Sequence, residues 1–118
     1  MFRSPFKSPR RAPSQKSVRT VKPPDELIRA IQEKKTVRLD YDGHERLVEP
    51  HVCGNVKSGN TILVCYQYSG GSNSGRIPDW RSFQVAEITH LEVMGMTFEP
   101  RPDYNPRDPK FIRVHAKV

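Results

Sequence analysis

The sequence has few cysteines, no long hydrophobic run and no acidic residue near its N-terminus. The two cysteines, Cys53 and Cys65, lie twelve positions apart and form no Cys-x-x-Cys pair. A protein of this size in an oxidising compartment usually carries more cysteines, so we interpret both as small apolar core residues. The longest apolar run is far too short to cross a bilayer, and no hydrophobic segment follows the N-terminal basic residues. These absences predict a soluble protein of the cytoplasm.

Sequence patterns typical of catalysis are also missing. We find no nucleophile with a neighbouring base, no metal-ligand spacing and no phosphate-binding glycine loop. Asp40, Asp42, His44 and Glu45 carry suitable side chains for a metal or acid-base site, but they surround a predicted turn and are typical of a solvated hairpin tip. We therefore expect a protein that is not an enzyme and that holds no metal or cofactor.

The charge is distributed unevenly along the 118 residues. Residues 1–22 contain seven basic residues and no acidic one, whereas residues 23–118 contain thirteen of each, so the net charge of +7 belongs to the N-terminal segment. This segment is rich in Pro and Ser and has too few apolar positions to offset its ordering entropy, which predicts a disordered tail. Two interpretations remain open, a phosphate-binding arm and a solubilising extension without a partner. The basic residues assigned to phosphate contacts are Arg10, Arg11, Lys16 and Arg19.

The rest of the chain is long enough for one small domain with a single modest core. The stretch Thr61–Tyr68 has the strongest strand signal, and turn-forming residues flank it. We predict that it is the central strand, buried on both faces. Before it, the apolar stripe of Leu27, Ile28 and Ile31 predicts a helix over residues 25–34, with basic residues at its C-terminal end.

Two strands joined by a tight turn are predicted between this helix and the central strand. Residues 36–41 alternate apolar and polar side chains, and Asp42-Gly43 is a strong hairpin signal. The returning strand is predicted to end at Pro50, which has no backbone N–H to donate. Residues 69–75 form a Gly-Ser-rich loop that either closes over a ligand or simply connects two strands.

The C-terminal part is predicted to continue the strands to Phe98. Residues 99–109 contain four prolines and predict an extended strap. A last short strand follows at Phe111, Ile112 and Val114, and it pairs with an edge of this sheet or with that of a neighbouring copy, which would give a homodimer. The three predicted regions are a tail (1–22), a domain (23–98) and the strap with its final strand (99–118).

Several short segments within residues 25–98 resemble the WYL domain, a small Sm-like barrel found in bacteria. They read AIQEKKTVRLDY, RLVEP and WRSFQVAEITHLEV. The specific matches are Tyr41, the Arg46 to Pro50 spacing, Gly59, Arg81-Ser82-Phe83 and Ile88. The chain departs from the family pattern at residues 61–63, which read Thr-Ile-Leu instead of Trp-Tyr-Leu, and at Glu87, where many members have arginine.

The resemblance implies a mainly β fold, an Sm-like barrel of about five strands with one N-terminal helix. Members of the family commonly follow a DNA-binding helix-turn-helix domain in transcription regulators, and some act in phage defence. The WYL domain is thought to bind nucleic acid or nucleotide-like ligands. Since no DNA-binding domain precedes it in this sequence, we expect a stand-alone sensor or binding module.

Arginines and aromatic residues are the candidates for ligand binding. Arg46 and Arg81 offer planar guanidinium groups suited to phosphate, and aromatic rings offer stacking faces for bases of single-stranded nucleic acid. The aromatic candidates are Tyr41, Tyr66 and Trp80.

Structural roles remain open for the same residues. The two tyrosines then belong to the core, Trp80 caps the barrel, and Arg81 forms an ion pair with Glu87 or Glu49. The alternative function is a protein-interaction adaptor that docks through a sheet edge and the strap. The sequence does not distinguish DNA from RNA.

Overall fold

The computed structural model describes residues 18–118, so the predicted phosphate contacts of Arg10, Arg11 and Lys16 lie outside the described residues. Residues 18–118 form one α-helix, one 3-10 turn at Val85–Glu87 and six strands. The elements are α1 (Asp25–Gln32), β1 (Lys35–Tyr41), β2 (His44–Val56), β3 (Thr61–Gly70), β4 (Asp79–Gln84), β5 (Thr89–Thr97) and β6 (Phe111–Lys117). No helix in this part of the chain has the length and apolar character needed to cross a membrane.

The six strands form a single antiparallel sheet in the order β4-β3-β2-β1-β5, with β6 also paired to β2. The predicted mainly β fold with one helix is confirmed, but the sheet is not closed into a barrel. The 3-10 turn carries the chain from β4 at one end of the strand order to β5 at the other. These two strands remain ends of the sheet because each has one paired neighbour, β3 for β4 and β1 for β5.

Strand β2 does not end at Pro50, so that sequence prediction is wrong. On one side β2 pairs with β1 up to Val48 and with β6 from Val52 onward. Pro50 therefore lies between the two pairings, at a point where the register with β3 also shifts. A missing backbone N–H costs little at such an irregularity, and the strand continues through the proline.

The hydrophobic core lies between α1 and one face of the sheet, which we call the core face. Leu27, Ala30 and Ile31 of the helix are buried against this face. A helix of eight residues is marginal alone, and each such leucine or isoleucine contributes about 1.5–3 kcal/mol when it is buried. The helix ends two residues earlier than predicted, and Lys34 follows it with a left-handed backbone (φ 55°).

Both faces of β3, which were predicted to be buried, are covered to different extents. Leu63 and Cys65 are fully buried on the core face, whereas the alternate residues Val64 and Tyr66 are half-buried on the opposite side, the outer face. Cys53 and Cys65 are free, buried thiols, which confirms their expected packing role. Burial raises the pKa of Cys53 to about 12 and also raises that of Cys65, so both stay protonated near neutral pH.

The strap packs on the outer face and leads into β6. Of the two pairings left open by the sequence, the structure shows β6 paired with β2 of the same chain. Gly54 of β2 permits this pairing, since a Cβ atom there would collide with the carbonyl oxygen of Arg113. At the other end of the chain, Arg19 and Val21 form hydrogen bonds with Thr61 at the start of β3.

Candidate anion-binding site

Two arginines meet across β3 on the core side of the sheet. Arg46 of β2 is only 4% exposed, and Arg81 of β4 is half-buried. Gln67 of β3 lies between them, and its Oε1 accepts hydrogen bonds from Arg46 Nη1 (3.2 Å) and Arg81 Nε (3.3 Å). The strand order β4-β3-β2 therefore brings together two positive charges that are 35 positions apart in the sequence.

The hydrogen bonds of both guanidinium groups with residues 18–118 all go to neutral oxygens. Arg46 donates from Nε and Nη2 to the Tyr41 carbonyl at 3.2 and 3.1 Å, and Arg81 donates from Nη2 to Ser72 Oγ at 2.9 Å and to the Arg76 carbonyl. Burial, and then the neighbouring charge of Arg81, lower the pKa of Arg46 from its ordinary value. An anion placed here would relieve both the desolvation and the mutual repulsion of the two charges.

The carboxylates that the sequence offered as partners for Arg81 are engaged elsewhere. Glu87 pairs with Arg19 at 3.2 Å, and Glu49 pairs with Arg101 at 2.8 Å. Among the described residues, neither of the two central arginines has an ion-pair partner. Arg19, proposed as a tail contact, is thus held at the surface of the fold by its pairing with Glu87.

Aromatic rings line the buried side of the arginine pair. The guanidinium carbon of Arg46 lies 5.1 Å from the centroid of Phe83 and 5.7 Å from that of Tyr41. The two rings pack at 4.2 Å, and the Tyr41 hydroxyl accepts a hydrogen bond from the Gln84 backbone. Burial raises the pKa of Tyr41, so the phenol is neutral, and cation–π contact holds the guanidinium in place.

The Gly-Ser-rich loop closes over the arginine pair. Gln67 Nε2 donates to the carbonyls of Ser69 (3.1 Å) and Gly71 (2.8 Å), while Arg81 binds Ser72 and Arg76. The loop begins at Gly70, which has a left-handed backbone (φ 97°). The loop therefore contacts Arg81 directly and is joined to Arg46 through Gln67.

The structure separates the predicted aromatic residues into two groups. Tyr41 lies beside Arg46, but Tyr66 and Trp80 point to the outer face because they alternate with the core-facing residues of their strands. There Trp80 Nε1 donates to Asp103 (2.8 Å) and the Arg101 guanidinium stacks 4.0 Å from the Tyr66 ring.

Two residues of the site, Gln67 and Phe83, were missed by sequence reasoning. Phe83 is two positions from Arg81, and this period-two spacing was the signal that placed it on the same face. Gln67 has the same spacing, two positions after the core residue Cys65, but its polar side chain gave no reason to place it among buried residues. Within residues 18–118 no group of three or more His, Cys, Asp or Glu residues is arranged to hold a metal ion.

No protein-family model matches the chain, and no curated protein matches it. The fold is similar to a solved structure, proteasome accessory factor B/C (PafBC) of Arthrobacter aurescens, with a TM-score of 0.54 and 27% sequence identity. The match covers 72% of this chain and 13% of the PafBC chain, so it spans a small part of that protein's length. PafBC contains a WYL domain, and the likeness supports a WYL-type fold for this chain.

Proposed function

We propose that this protein is a regulatory WYL-type module, without enzymatic activity, that binds a nucleotide-like ligand or single-stranded nucleic acid at Arg46 and Arg81. The observation that carries the proposal is the pair of guanidinium groups that share Gln67 and have only neutral partners among the described residues. The likeness to PafBC, a WYL-containing transcription regulator, supports a regulatory role.

In this proposal, oxygens of residues 72 and 76 occupy the position at Arg81 that a phosphate group of the ligand takes when it binds. Ser72 Oγ and the Arg76 carbonyl occupy donors of Arg81 that a phosphate group would take with stronger, charge-assisted hydrogen bonds. Displacement of the loop then exposes Arg46, whose planar group binds a second phosphate oxygen. The half-buried Tyr41 ring supplies the aromatic face nearest to the bound ligand.

The test measures binding of short fluorescent single-stranded DNA and RNA to the full chain at low and physiological salt. Arg81→Gln removes one charge from the site, and Arg29→Gln removes one charge from the exposed surface of α1 as a matched control. We expect Arg81→Gln to weaken binding about tenfold or more, since a hydrogen bond to a charged group is worth about 1.5–3 kcal/mol. Arg29→Gln should change it much less.

A second variant, Arg46→Lys, keeps the buried charge but loses the planar fork. It should retain a cooperative thermal transition and still bind more weakly than the unchanged protein. Equal affinities for Arg81→Gln and Arg29→Gln would contradict the proposal. Salt-insensitive capture of a protein partner, with no nucleic-acid binding, would favour the adaptor function instead.

A further inference from the structure

A cavity lies on the outer face of the sheet, away from the arginine pair. The cavity is partly open to solvent and has a volume of about 250 Å³. Val52, Val64 and Trp80 of the sheet form its floor, and Asp103, Tyr104 and Asp108 contribute to the opposite wall. The size suits a small organic molecule, and the lining offers apolar and aromatic surface together with carboxylates.

The charge of the cavity is negative. Asp103 and Asp108 contribute two negative charges, and Lys110, the basic residue of the lining, contributes one positive charge, so one negative charge remains. Lys110 Nζ lies 3.7 Å from Asp108, which pairs those two charges. Asp103 accepts a hydrogen bond from the neutral Trp80 indole, and residues 18–118 provide it with no ion-pair partner.

Tyr104 adds an unused polar group to the wall. Its hydroxyl is buried, and the described residues offer it no hydrogen-bond partner. A buried polar atom without a partner is costly, and because a phenolic oxygen also accepts hydrogen bonds, an N–H group of a ligand or a bound water would satisfy it. The Trp80 and Tyr104 rings lie 6.4 Å apart with 28° between their planes, and tryptophan is the best aromatic partner for a cation.

The wall is held on the sheet by contacts of its own. Arg101 makes two hydrogen bonds to the Glu49 carboxylate (2.8 and 3.0 Å), and Lys117 of β6 donates to the Pro106 carbonyl (3.0 Å). These bonds fix both ends of residues 101–106, so the cavity is preorganised when the strap is docked. Preorganisation lowers the cost of ligand binding.

We propose that this cavity binds a small organic cation, a protonated amine carried on an apolar or aromatic group. The ammonium group would lie near Asp103 and the ring of Trp80, and the apolar part would pack on Val52 and Val64. The site is independent of the arginine pair, whose positive charge favours ligands of the opposite sign.

The natural reporter is Trp80, which is the sole tryptophan of the chain and lines the cavity. The full-length protein is titrated with benzylammonium, with benzyl alcohol as the neutral probe of similar shape and benzoate as the anionic one. We expect a saturable change in Trp80 fluorescence for benzylammonium, with a Kd of about 1 mM or lower, and at least tenfold weaker binding of the other two probes.

Two variants test the charge of the site. Asp103→Asn keeps an acceptor for the Trp80 indole but removes the negative charge, and Asp25→Asn at the exposed start of α1 is its matched control. Ser82→Lys adds a positive charge at an exposed lining position, and Ser58→Lys in an exposed turn is the control. Both cavity variants should weaken benzylammonium binding about tenfold, and neither control should alter it.

Three results would overturn the proposal. The first is the absence of a saturable signal up to about 10 mM benzylammonium, which is ten times the expected Kd. The second is equal binding of benzyl alcohol and benzylammonium. The third is an unchanged affinity for benzylammonium in both Asp103→Asn and Ser82→Lys. Thermal melting of each variant establishes that it is folded. If Asp103→Asn weakens the docking of the strap, Ser82→Lys still tests the charge of the cavity, because Ser82 is exposed.

Discussion

His51 joins the strap to the sheet through both of its ring nitrogens. The residue is fully buried, with Nδ1 2.8 Å from the Glu49 carbonyl and Nε2 3.1 Å from the Arg101 backbone nitrogen. Both bonds are satisfied when Nδ1 carries the proton and Nε2 is the acceptor. Rings of Trp80 and Tyr104 contact the imidazole at 4.8 and 5.0 Å, so a charge on it would be poorly solvated.

We predict that acid loosens the strap at His51. Burial lowers the pKa of His51 below its ordinary 6.5. The hydrogen bond to the Glu49 carbonyl and the carboxylates of Glu49 and Asp103 oppose this effect, and the charge of Arg101 adds to it. Because the unfolded chain then binds the proton more readily, the stabilisation is complete above about pH 6.5 and is lost as the pH falls below that value. Protonated Nε2 would also face the Arg101 N–H as a second donor.

The measurement is hydrogen exchange of the Arg101 amide, expressed as a protection factor at pH 7.5 and 5.5. Protection should fall at the lower pH. The Phe98 amide, which donates to the Lys34 carbonyl, serves as the internal control and should lose less protection. Equal changes at the two amides would show that His51 does not control the strap.

Among the strands, β2 has the most pairing partners. Its thirteen residues pair with β3 along one side and with β1 and then β6 along the other. The same strand therefore supplies Arg46 to the core side and Val52 to the cavity on the outer face. Register shifts in β2 adjust the strand to its successive partners, which is the usual effect of a bulge.

We predict that Gly54→Ala detaches or displaces β6. The new Cβ would meet the Arg113 carbonyl and the Phe111 ring, and overpacking of this kind costs about 1–3 kcal/mol. Gly95→Ala in β5 is the matched control, because no atom of residues 18–118 lies within 4 Å of a Cβ placed there. Urea unfolding should show a lower midpoint for Gly54→Ala than for Gly95→Ala, and equal midpoints would disprove the tight β2–β6 contact.

Charge is separated over the whole molecule. Residues 1–22 carry the net charge of +7, residues 23–118 are balanced, and the domain places two arginines and a negative cavity on opposite faces of one sheet. In the function we propose, residues 1–22 would attract a polyanion, and Arg46 and Arg81 would recognise its phosphate groups. The attraction depends strongly on salt, and the recognition also depends on geometry.

Neutralising the tail should change the salt dependence of nucleic-acid binding more than its specificity. The variant combines Arg10→Gln, Arg11→Gln and Lys16→Gln in the full chain. Each phosphate of a single strand that is no longer neutralised lowers the slope of log K against log salt concentration by ~0.7, so the slope should become shallower by about 2. Binding of a mononucleotide should be unchanged. An unchanged slope for a single-stranded oligomer would show that these residues do not contact phosphate, which favours the solubilising role.

Much of the local structure follows from the sequence pattern. The apolar stripe of α1, the Asp42-Gly43 turn and the alternation in β1 identify their elements because backbone geometry repeats every 3.6 or two residues. The same alternation predicts that Trp80 and Arg81 point to opposite faces of β4. The hypothesis that Trp80 and Arg81 belong to one site did not take this alternation into account.

The pattern of residues is therefore sufficient to predict the helix, the first hairpin, the alternation of the strands and the basic character of Arg46 and Arg81. It does not predict that β2 continues through Pro50, that Gln67 joins the two arginines or that the strap covers Trp80. Periodicity depends on neighbours within one element, whereas strand order, register shifts and strap docking depend on packing between residues far apart in the chain.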